Sequence, residues 1–155
     1  MVEFPPDDYI AGTAGGEVDR VHVSLRAASD ELDPEELTRA LGVQPTFAAR
    51  KGDRRLTRGG EAVQRTGVWY IQFPGVAEEW TLDEAIAALL DRLPSEQEVW
   101  DILATQHHLD LYCGLHLDEW NRGAELSPEL LLRLAKQHLT LSLDIYFEGV
   151  DDAAP

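Results

Sequence analysis

Positively charged side chains are concentrated in residues 50–65, which we call the basic segment. It holds six of the 13 lysines and arginines of the 155-residue sequence: Arg50, Lys51, Arg54, Arg55, Arg58 and Arg65. Because only Asp53 and Glu61 oppose them, the segment carries a net charge of +4, and the rest of the chain carries −20. Arginine guanidinium groups bind phosphates and carboxylates through paired hydrogen bonds. The segment is therefore a candidate anion-binding site, and the alternative is that its cations pair with the protein's own acids.

A second candidate site is a set of polar side chains that alternate with apolar ones. In residues 109–117 and 139–147 every odd-numbered residue is apolar, and residues 21–27 and 68–73 alternate in the same way. This period is typical of β-strands with one face in the core. We predict that the odd-numbered residues of the two longer segments are buried under helices. The even-numbered residues then form an open sheet face, whose members are His22, Ser24, Arg26, Asp110, Tyr112, His116, Thr140, Ser142, Asp144 and Tyr146.

The third candidate surface combines tryptophans with acids, in two segments that we predict to be loops. We call it the acidic tryptophan patch, and it comprises Glu78, Glu79, Trp80, Asp118, Glu119 and Trp120. An aromatic anchor surrounded by charged residues is typical of protein–protein hot spots. The pattern therefore predicts a surface that binds a protein partner with a basic face.

Residues that could form a catalytic or metal centre do not fall into a converging pattern. Cys113, the one cysteine, lies on the apolar side of its predicted strand, which predicts a buried, inert thiol. His107 and His108 follow a predicted helix end, where a cation interacts well with the helix dipole. A zinc or iron site needs three or four ligands that converge, and no spacing here predicts one. We expect no catalytic residues, no metal and no cofactor.

Composition limits the class of protein. A length of 155 residues fits one domain, and we divide the chain into a flexible N-terminal segment (1–19), a domain (20–150) and a tail (151–155). The net charge of −16 argues against general nucleic-acid binding, which needs a basic surface. A single cysteine and the lack of a signal-peptide pattern or long apolar run predict a cytoplasmic protein that does not span a membrane.

Helix signals separate the predicted strands. Asp33-Pro34 and Ser127-Pro128 are helix starts, and Thr81 to Glu84 and Ser95 to Glu98 have the capping-box pattern. Gly42 predicts a helix end, and the glycines of the basic segment predict a mobile hairpin loop. The order β-α-β-β-α(α)-β-α-β, in which the two ends resemble each other, predicts an α+β fold of ferredoxin-like, duplicated β-α-β units. Its mixed, mainly antiparallel sheet would carry the helices on one face.

Several short motifs between residues 20 and 147 resemble a bacterial family known as DUF4279, a domain of unknown function. The motifs are Leu41-Gly42 followed by Pro45-Thr46, then Arg50-Lys51-Gly52-Asp53, Gly67-x-Trp69, Leu126-Ser127-Pro128-Glu129-Leu130 and Leu141-x-Leu143-Asp144-Ile145-Tyr146. The resemblance implies no enzyme activity and no assigned active site. Some members are similar in setting to immunity proteins of bacterial toxin systems.

Hypotheses of different classes fit these observations. The leading one is a non-enzymatic protein-binding domain, such as an immunity-type protein that occludes a basic partner through the acidic tryptophan patch. The alternative is a small-ligand or anion-binding domain, or a weak enzyme, that uses the basic segment together with Tyr112 and Tyr146. A third is a structural or oligomer-forming module.

Overall fold

The structure is a computed structural model that describes residues 15–73 and 80–149. Four helices and seven strands follow one another along these two ranges. In chain order they are β1 (Arg20–Ser29), α1 (Pro34–Leu41), β2 (Phe47–Ala49), β3 (Arg54–Thr57), β4 (Gly60–Val63), β5 (Gly67–Gln72), α2 (Leu82–Leu90), α3 (Gln97–Gln106), β6 (His108–Leu117), α4 (Pro128–Lys136) and β7 (Thr140–Phe147).

Three of the four helices begin at the predicted capping residues. Asp33 accepts the N–H of Glu35 at 2.9 Å, Ser127 caps α4, and Thr81 forms a reciprocal capping box at the start of α2. Helix α1 ends at Gly42, whose φ of 70° is a left-handed conformation that favours glycine. The second predicted capping box is wrong, because α3 begins after Glu96 without a side-chain cap. Local hydrogen bonding by Asp, Ser and Thr therefore sets most helix starts.

Five strands form one mixed sheet in the order β2-β5-β1-β6-β7. Strand β1 is central and runs antiparallel to β5 and to β6, β2 is antiparallel to β5, and β6 and β7 are parallel. The α+β class and the mixed, mainly antiparallel sheet are thus confirmed. The predicted hairpin in the basic segment is a separate two-stranded ribbon, β3–β4.

The ferredoxin-like duplication is not confirmed by this strand order. Strand β5 lies between β1 and β2 in the first β-α-β unit, whereas β6 and β7 of the second unit are adjacent. The resemblance between the two ends of the sequence therefore corresponds to a shared helix start and not to an identical strand arrangement.

One core cluster contains the odd-numbered residues of the central strands and the buried side chains of all four helices. Its largest members are Trp69 and Trp100, whose indole N–H groups donate to the Thr38 hydroxyl and to the Pro94 carbonyl. Cys113 is fully buried in this core, as predicted, and burial raises the pKa of its thiol to about 12. The thiol is therefore protonated at neutral pH, a state with little nucleophilic reactivity.

The predicted burial of β7 is wrong for most of the strand. Leu139 is buried and Leu141 is partly covered, but Leu143, Ile145 and Phe147 are 50%, 64% and 63% exposed. The face assignment itself holds, since the even-numbered residues lie with those of β6 on the opposite side. The physical reason for the exposure is position: β7 is an edge strand, and the helix layer covers only its first residues.

The two ends of the chain are only partly described. Residues 15–19 belong to the predicted N-terminal segment, and there Val18 is buried and donates its N–H to the Gly123 carbonyl. Residues 1–14 and 150–155 lie outside the described residues. Across 15–73 and 80–149, no helix is both long and apolar enough to span a membrane.

Two leucines on the same face of neighbouring strands test the difference between core and edge. We expect Leu111→Ala, in the buried centre of β6, to lower the free energy of unfolding by about 2–5 kcal/mol, because a cavity replaces the side chain. Leu143→Ala on β7 should cost less than about 1 kcal/mol. Urea unfolding at low protein concentration measures both values, and equal costs would contradict the exposure of the edge strand.

Candidate functional site

The open sheet face carries a row of side chains that crosses four strands at one level. The strand register places Phe47 beside Tyr70, Tyr70 beside Arg26, and Arg26 beside Asp110. The row therefore combines two aromatic rings on β2 and β5 with a cation and an acid on the two central strands.

A pocket of about 410 Å³ lies over this row, and we call it the sheet pocket. Its volume is within the range of small-molecule sites, which is roughly 300–1,000 Å³. The ribbon β3–β4 contributes Arg55 to its wall, and Gln64 follows from the end of the ribbon. The full lining is Arg26, Ala27, Ala28, Phe47, Arg55, Gln64, Val68, Trp69, Tyr70, His108 and Asp110.

Asp110 is the one acid in this lining, and its carboxylate accepts three hydrogen bonds from neighbouring side chains. Its two carboxylate oxygens accept from Nε and Nη2 of Arg26 at 2.7 and 2.6 Å, and the Ser142 hydroxyl donates to it at 2.8 Å. Burial acts to raise the pKa of Asp110, but the hydrogen bonds from Arg26 and Ser142 outweigh it and hold the pKa below its ordinary value. The Asp110 carboxylate is therefore ionised, its charge is balanced by Arg26, and both of its oxygens accept hydrogen bonds.

Arg55 has a different environment from Arg26. Its guanidinium lies over the ring of Phe47, 5.4 Å from the centroid, and Phe47 packs against Tyr70 with centroids 5.7 Å apart. Among the described residues, no carboxylate lies within salt-bridge distance of Arg55, so its hydrogen-bond donors remain directed to solvent and to the pocket. A stacked arginine next to an aromatic wall is a typical recognition element for planar anions.

The other cations of the basic segment divide into two groups. Arg50 binds Asp33 at 2.7 Å, Lys51 binds Asp30, and Arg54 is 3.4 Å from Glu61. These three cations therefore pair with the protein's own acids. Arg58 lies in the turn between β3 and β4, and Arg65 lies between β4 and β5, and neither lines the sheet pocket.

Tyr112 and Tyr146 meet on the open sheet face, next to the pocket but outside its lining. Both hydroxyls hydrogen-bond to Asp144, at 3.0 and 2.8 Å, and to each other at 3.0 Å. The hydrogen bond with Tyr146, then burial and Asp144, raise the pKa of Tyr112. Because Arg26 lies 4.6 Å above the Tyr112 ring, this cluster supports the pocket wall from behind. Tyr112 thus contacts Arg26, and neither tyrosine belongs to the lining of the sheet pocket.

The acidic tryptophan patch is only partly described, because Glu78 and Glu79 lie outside the described residues. Trp80 packs on Phe73 with centroids 5.1 Å apart, while Trp120 is 82% exposed in the loop after β6. Strand β5 ends opposite Ser24 of β1 and β6 ends beside Arg20, so both strands run toward the N-terminal half of β1. Among the described residues no contact joins the two tryptophans.

Metal-ligating side chains are not grouped into a site. Within 15–73 and 80–149, no three His, Cys, Asp or Glu side chains are placed so that they could hold a metal ion. His116 bonds to Glu148 at 2.9 Å and stacks on Tyr146 at the far end of the open sheet face.

Comparison with known protein families matches residues 19–148 to the model of a domain of unknown function. The chain belongs to the DUF4279 family. No curated protein and no solved structure gives a match. In this DUF4279 domain the Arg50-Lys51-Gly52-Asp53 motif is the turn into the ribbon, where Asp53 accepts the N–H of Arg50 at 2.8 Å and Gly52 has a φ of 91°. The motif therefore sets the position of the ribbon that supplies Arg55.

The Arg26–Asp110 ion pair should stabilise the folded protein most at neutral pH. Because the pKa of folded Asp110 is below its ordinary value of 3.8, its stabilising contribution is present above that value and is lost as the pH falls through the folded pKa. In Arg26→Met, burial is opposed only by the Ser142 hydrogen bond and by His108, so the pKa of Asp110 rises and the charged form is penalised. We expect Arg26→Met to lower the unfolding free energy by about 2–3 kcal/mol at pH 7, a value limited by solvent screening because Arg26 is still 44% exposed. The loss should be clearly smaller at pH 4, which is closer to the raised pKa.

Arg133→Met is the matched control, because Arg133 pairs with the exposed Asp91. It should cost less than about 1 kcal/mol at both pH values. Urea unfolding of both variants at pH 4 and pH 7 measures this, and a pH-independent loss for Arg26→Met would contradict the proposed state of Asp110.

Proposed function

We propose that this domain binds a small planar anion in the sheet pocket. The observation that carries the proposal is the charge of the lining: a protein with 29 acids presents two arginines and a histidine here, and the one acid is already bound to Arg26. An anion entering the pocket meets the Arg55 guanidinium without competition from a free carboxylate. The sheet pocket therefore favours anions, whereas the acidic remainder of the surface favours cations.

The aromatic part of the lining supports a planar ligand. Phe47 and Tyr70 form a continuous wall whose rings are tilted by 33° to each other, and Arg55 stacks on the outer ring. A flat ring placed against this wall gains offset aromatic contact while its anionic group reaches the guanidinium. Ala28, whose side chain lies on the open face of β1, leaves room for such a ring because that side chain is short.

Binding without catalysis is the simpler use of these groups. Of the described residues that line the pocket, none is a serine, threonine or cysteine that a neighbouring base could activate as a nucleophile. Asp110 is held by three hydrogen bonds and so is a poor proton acceptor. We therefore propose recognition of an anion and not its chemical conversion.

Phenyl phosphate and benzoate are suitable probes, with benzyl alcohol as the uncharged comparison. We expect the two anions to bind and to shift the backbone amide resonances of residues around Phe47, Tyr70 and Arg55. Arg55→Ala should weaken binding at least tenfold, because it removes a charge-assisted hydrogen bond together with a stacked cation. Titration followed by amide resonances or by calorimetry measures the dissociation constants.

Arg58→Ala is the matched control, since it removes the same charge from the turn of the same ribbon without touching the lining. It should change the dissociation constants less than twofold at physiological salt. Equal effects of the two variants, or equal binding of benzyl alcohol, would mean that general charge or the apolar wall accounts for binding, and the proposal would fail.

A second candidate function is binding of a basic protein, as in an immunity-type domain. The specific observation in its favour is Trp120, a large apolar side chain that is 82% exposed and follows Asp118 and Glu119. An exposed tryptophan of this kind fits an interface anchor, and the acids around it would steer a basic partner.

Trp120→Ala should weaken binding of a partner captured from the source cell by about 2 kcal/mol, mainly through faster dissociation. Glu119→Gln should chiefly slow association. Leu56→Ala on the ribbon is the control, because Leu56 is 89% exposed and lies outside the patch. A captured partner that tolerates Trp120→Ala and Glu119→Gln but is lost with Arg54→Ala and Arg55→Ala would contradict this candidate.

A further inference from the structure

The two edges of the five-stranded sheet are built differently. Strand β2 at one edge has three residues and follows Pro45, which lacks a backbone N–H. Short edge strands and nearby prolines are common protections against pairing with another strand. Strand β7 at the other edge has eight residues, and its sequence Thr140–Phe147 contains no proline and no glycine. Among the described residues, no strand pairs with its outer side.

Charge does not protect β7 either. Its only charged residue is Asp144, and that carboxylate is held on the open sheet face by the hydroxyls of Tyr112 and Tyr146. On the helix-facing side, Leu143, Ile145 and Phe147 remain largely exposed although they are apolar. A long edge strand with exposed apolar side chains and a single charge that is turned to the other face is the kind of strand that pairs with another chain.

From this contrast between the edges we infer that β7 is a self-association surface, on which β7 of a second copy pairs antiparallel around a two-fold axis. Such an interface is isologous, so each copy contributes the same residues to it. The pairing would extend the five-stranded sheet into a continuous ten-stranded one. It does not involve the sheet pocket, and it holds whether or not the proposed ligand binds there.

Charge and alternation favour a register centred on Leu143 over its nearest alternatives. If Leu143 lies opposite its own copy, Leu141 lies opposite Ile145 of the second copy, and the Ser142 hydroxyl lies opposite Asp144. A register centred on Asp144 would place two carboxylates against each other, which is destabilising. A shift by one residue would place apolar side chains opposite polar ones. The strand is therefore complementary to itself in the first register.

The helix layer leaves space for the second copy. Leu139 is buried and Leu141 is partly buried against the core, whereas Leu143, Ile145 and Phe147 are each at least half exposed, so the described residues leave this side of the strand accessible. One strand pair with three exposed apolar side chains on each side buries less than the roughly 800 Å² per partner of a standard interface. Two chains of charge −16 also repel each other. The dimer is therefore weak, with a dissociation constant on the order of 10 μM or above.

Sedimentation equilibrium of the intact protein across a concentration series tests the pairing. We expect a reversible monomer–dimer equilibrium that Ile145→Lys weakens at least tenfold, because it introduces a charge opposite Leu141 of the second copy. Leu56→Lys, which replaces an 89% exposed leucine on the ribbon, is the matched control and should leave the equilibrium within about twofold. Circular dichroism and thermal unfolding check that both variants are folded. Monomers at every concentration, or equal effects of the two variants, overturn the proposal.

Salt distinguishes β7 pairing from association through opposite charges. Raising NaCl from about 50 mM to about 500 mM should tighten the dimer, because screening reduces the repulsion between two acidic chains. Weakening by salt would indicate that the basic segment of one copy binds the acidic surface of another, and would overturn the proposal. Hydrogen exchange provides the last measurement: the β7 amides that do not pair with β6 should become protected as the concentration rises. Protection that is independent of concentration would mean that another part of the chain covers the edge, which also overturns it.

Discussion

The ion pair between Arg26 and Asp110 connects most of the features of this domain. It joins the two central strands, β1 and β6, and the Ser142 hydroxyl extends it to β7. The same guanidinium covers the Tyr112 ring and forms part of the pocket lining. Because both oxygens of Asp110 are occupied, a buried carboxylate can lie below a site that we propose for anions. The pair thus removes a negative charge from the one region where it would oppose the proposed function.

What the sequence predicts correctly is local. The starts of α1, α2 and α4 follow from Asp33, Thr81 and Ser127, whose side chains cap the next residues within one turn. The alternation in β1 and β6 assigns each side chain to a face, since the period of a strand is two. Membership of Arg26, Asp110 and Ser142 in the open sheet face was therefore predictable, although their mutual hydrogen bonds were not.

What the sequence does not predict depends on which strands are neighbours. Phe47 and Tyr70 form the aromatic wall only because β2 pairs with β5, and their local pattern contains no sign of that pairing. Similarly, Ile145 alternates as regularly as Leu115, but β7 is an edge and β6 is not. Alternation states which face a residue occupies, whereas burial also requires that something covers that face. The composition of the sequence identifies the basic segment. It does not show which cations of the segment pair with acids and that Arg55 does not, because this depends on where Asp30 and Asp33 lie in the fold.

The central position of β1 has a consequence for how the chain is made. Arg26 and Asp110 are 84 positions apart, so the hydrogen bonds between β1 and β6 form only with residues that are synthesised several seconds later, at a rate of about 5–20 residues per second. Strands β2 and β5, with α1 and α2, are available earlier and can cover one side of β1. Until β6 arrives, the other side is an unpaired edge in the middle of the future sheet. A nascent chain of this topology is thus most exposed to premature strand pairing between the synthesis of α2 and of β6.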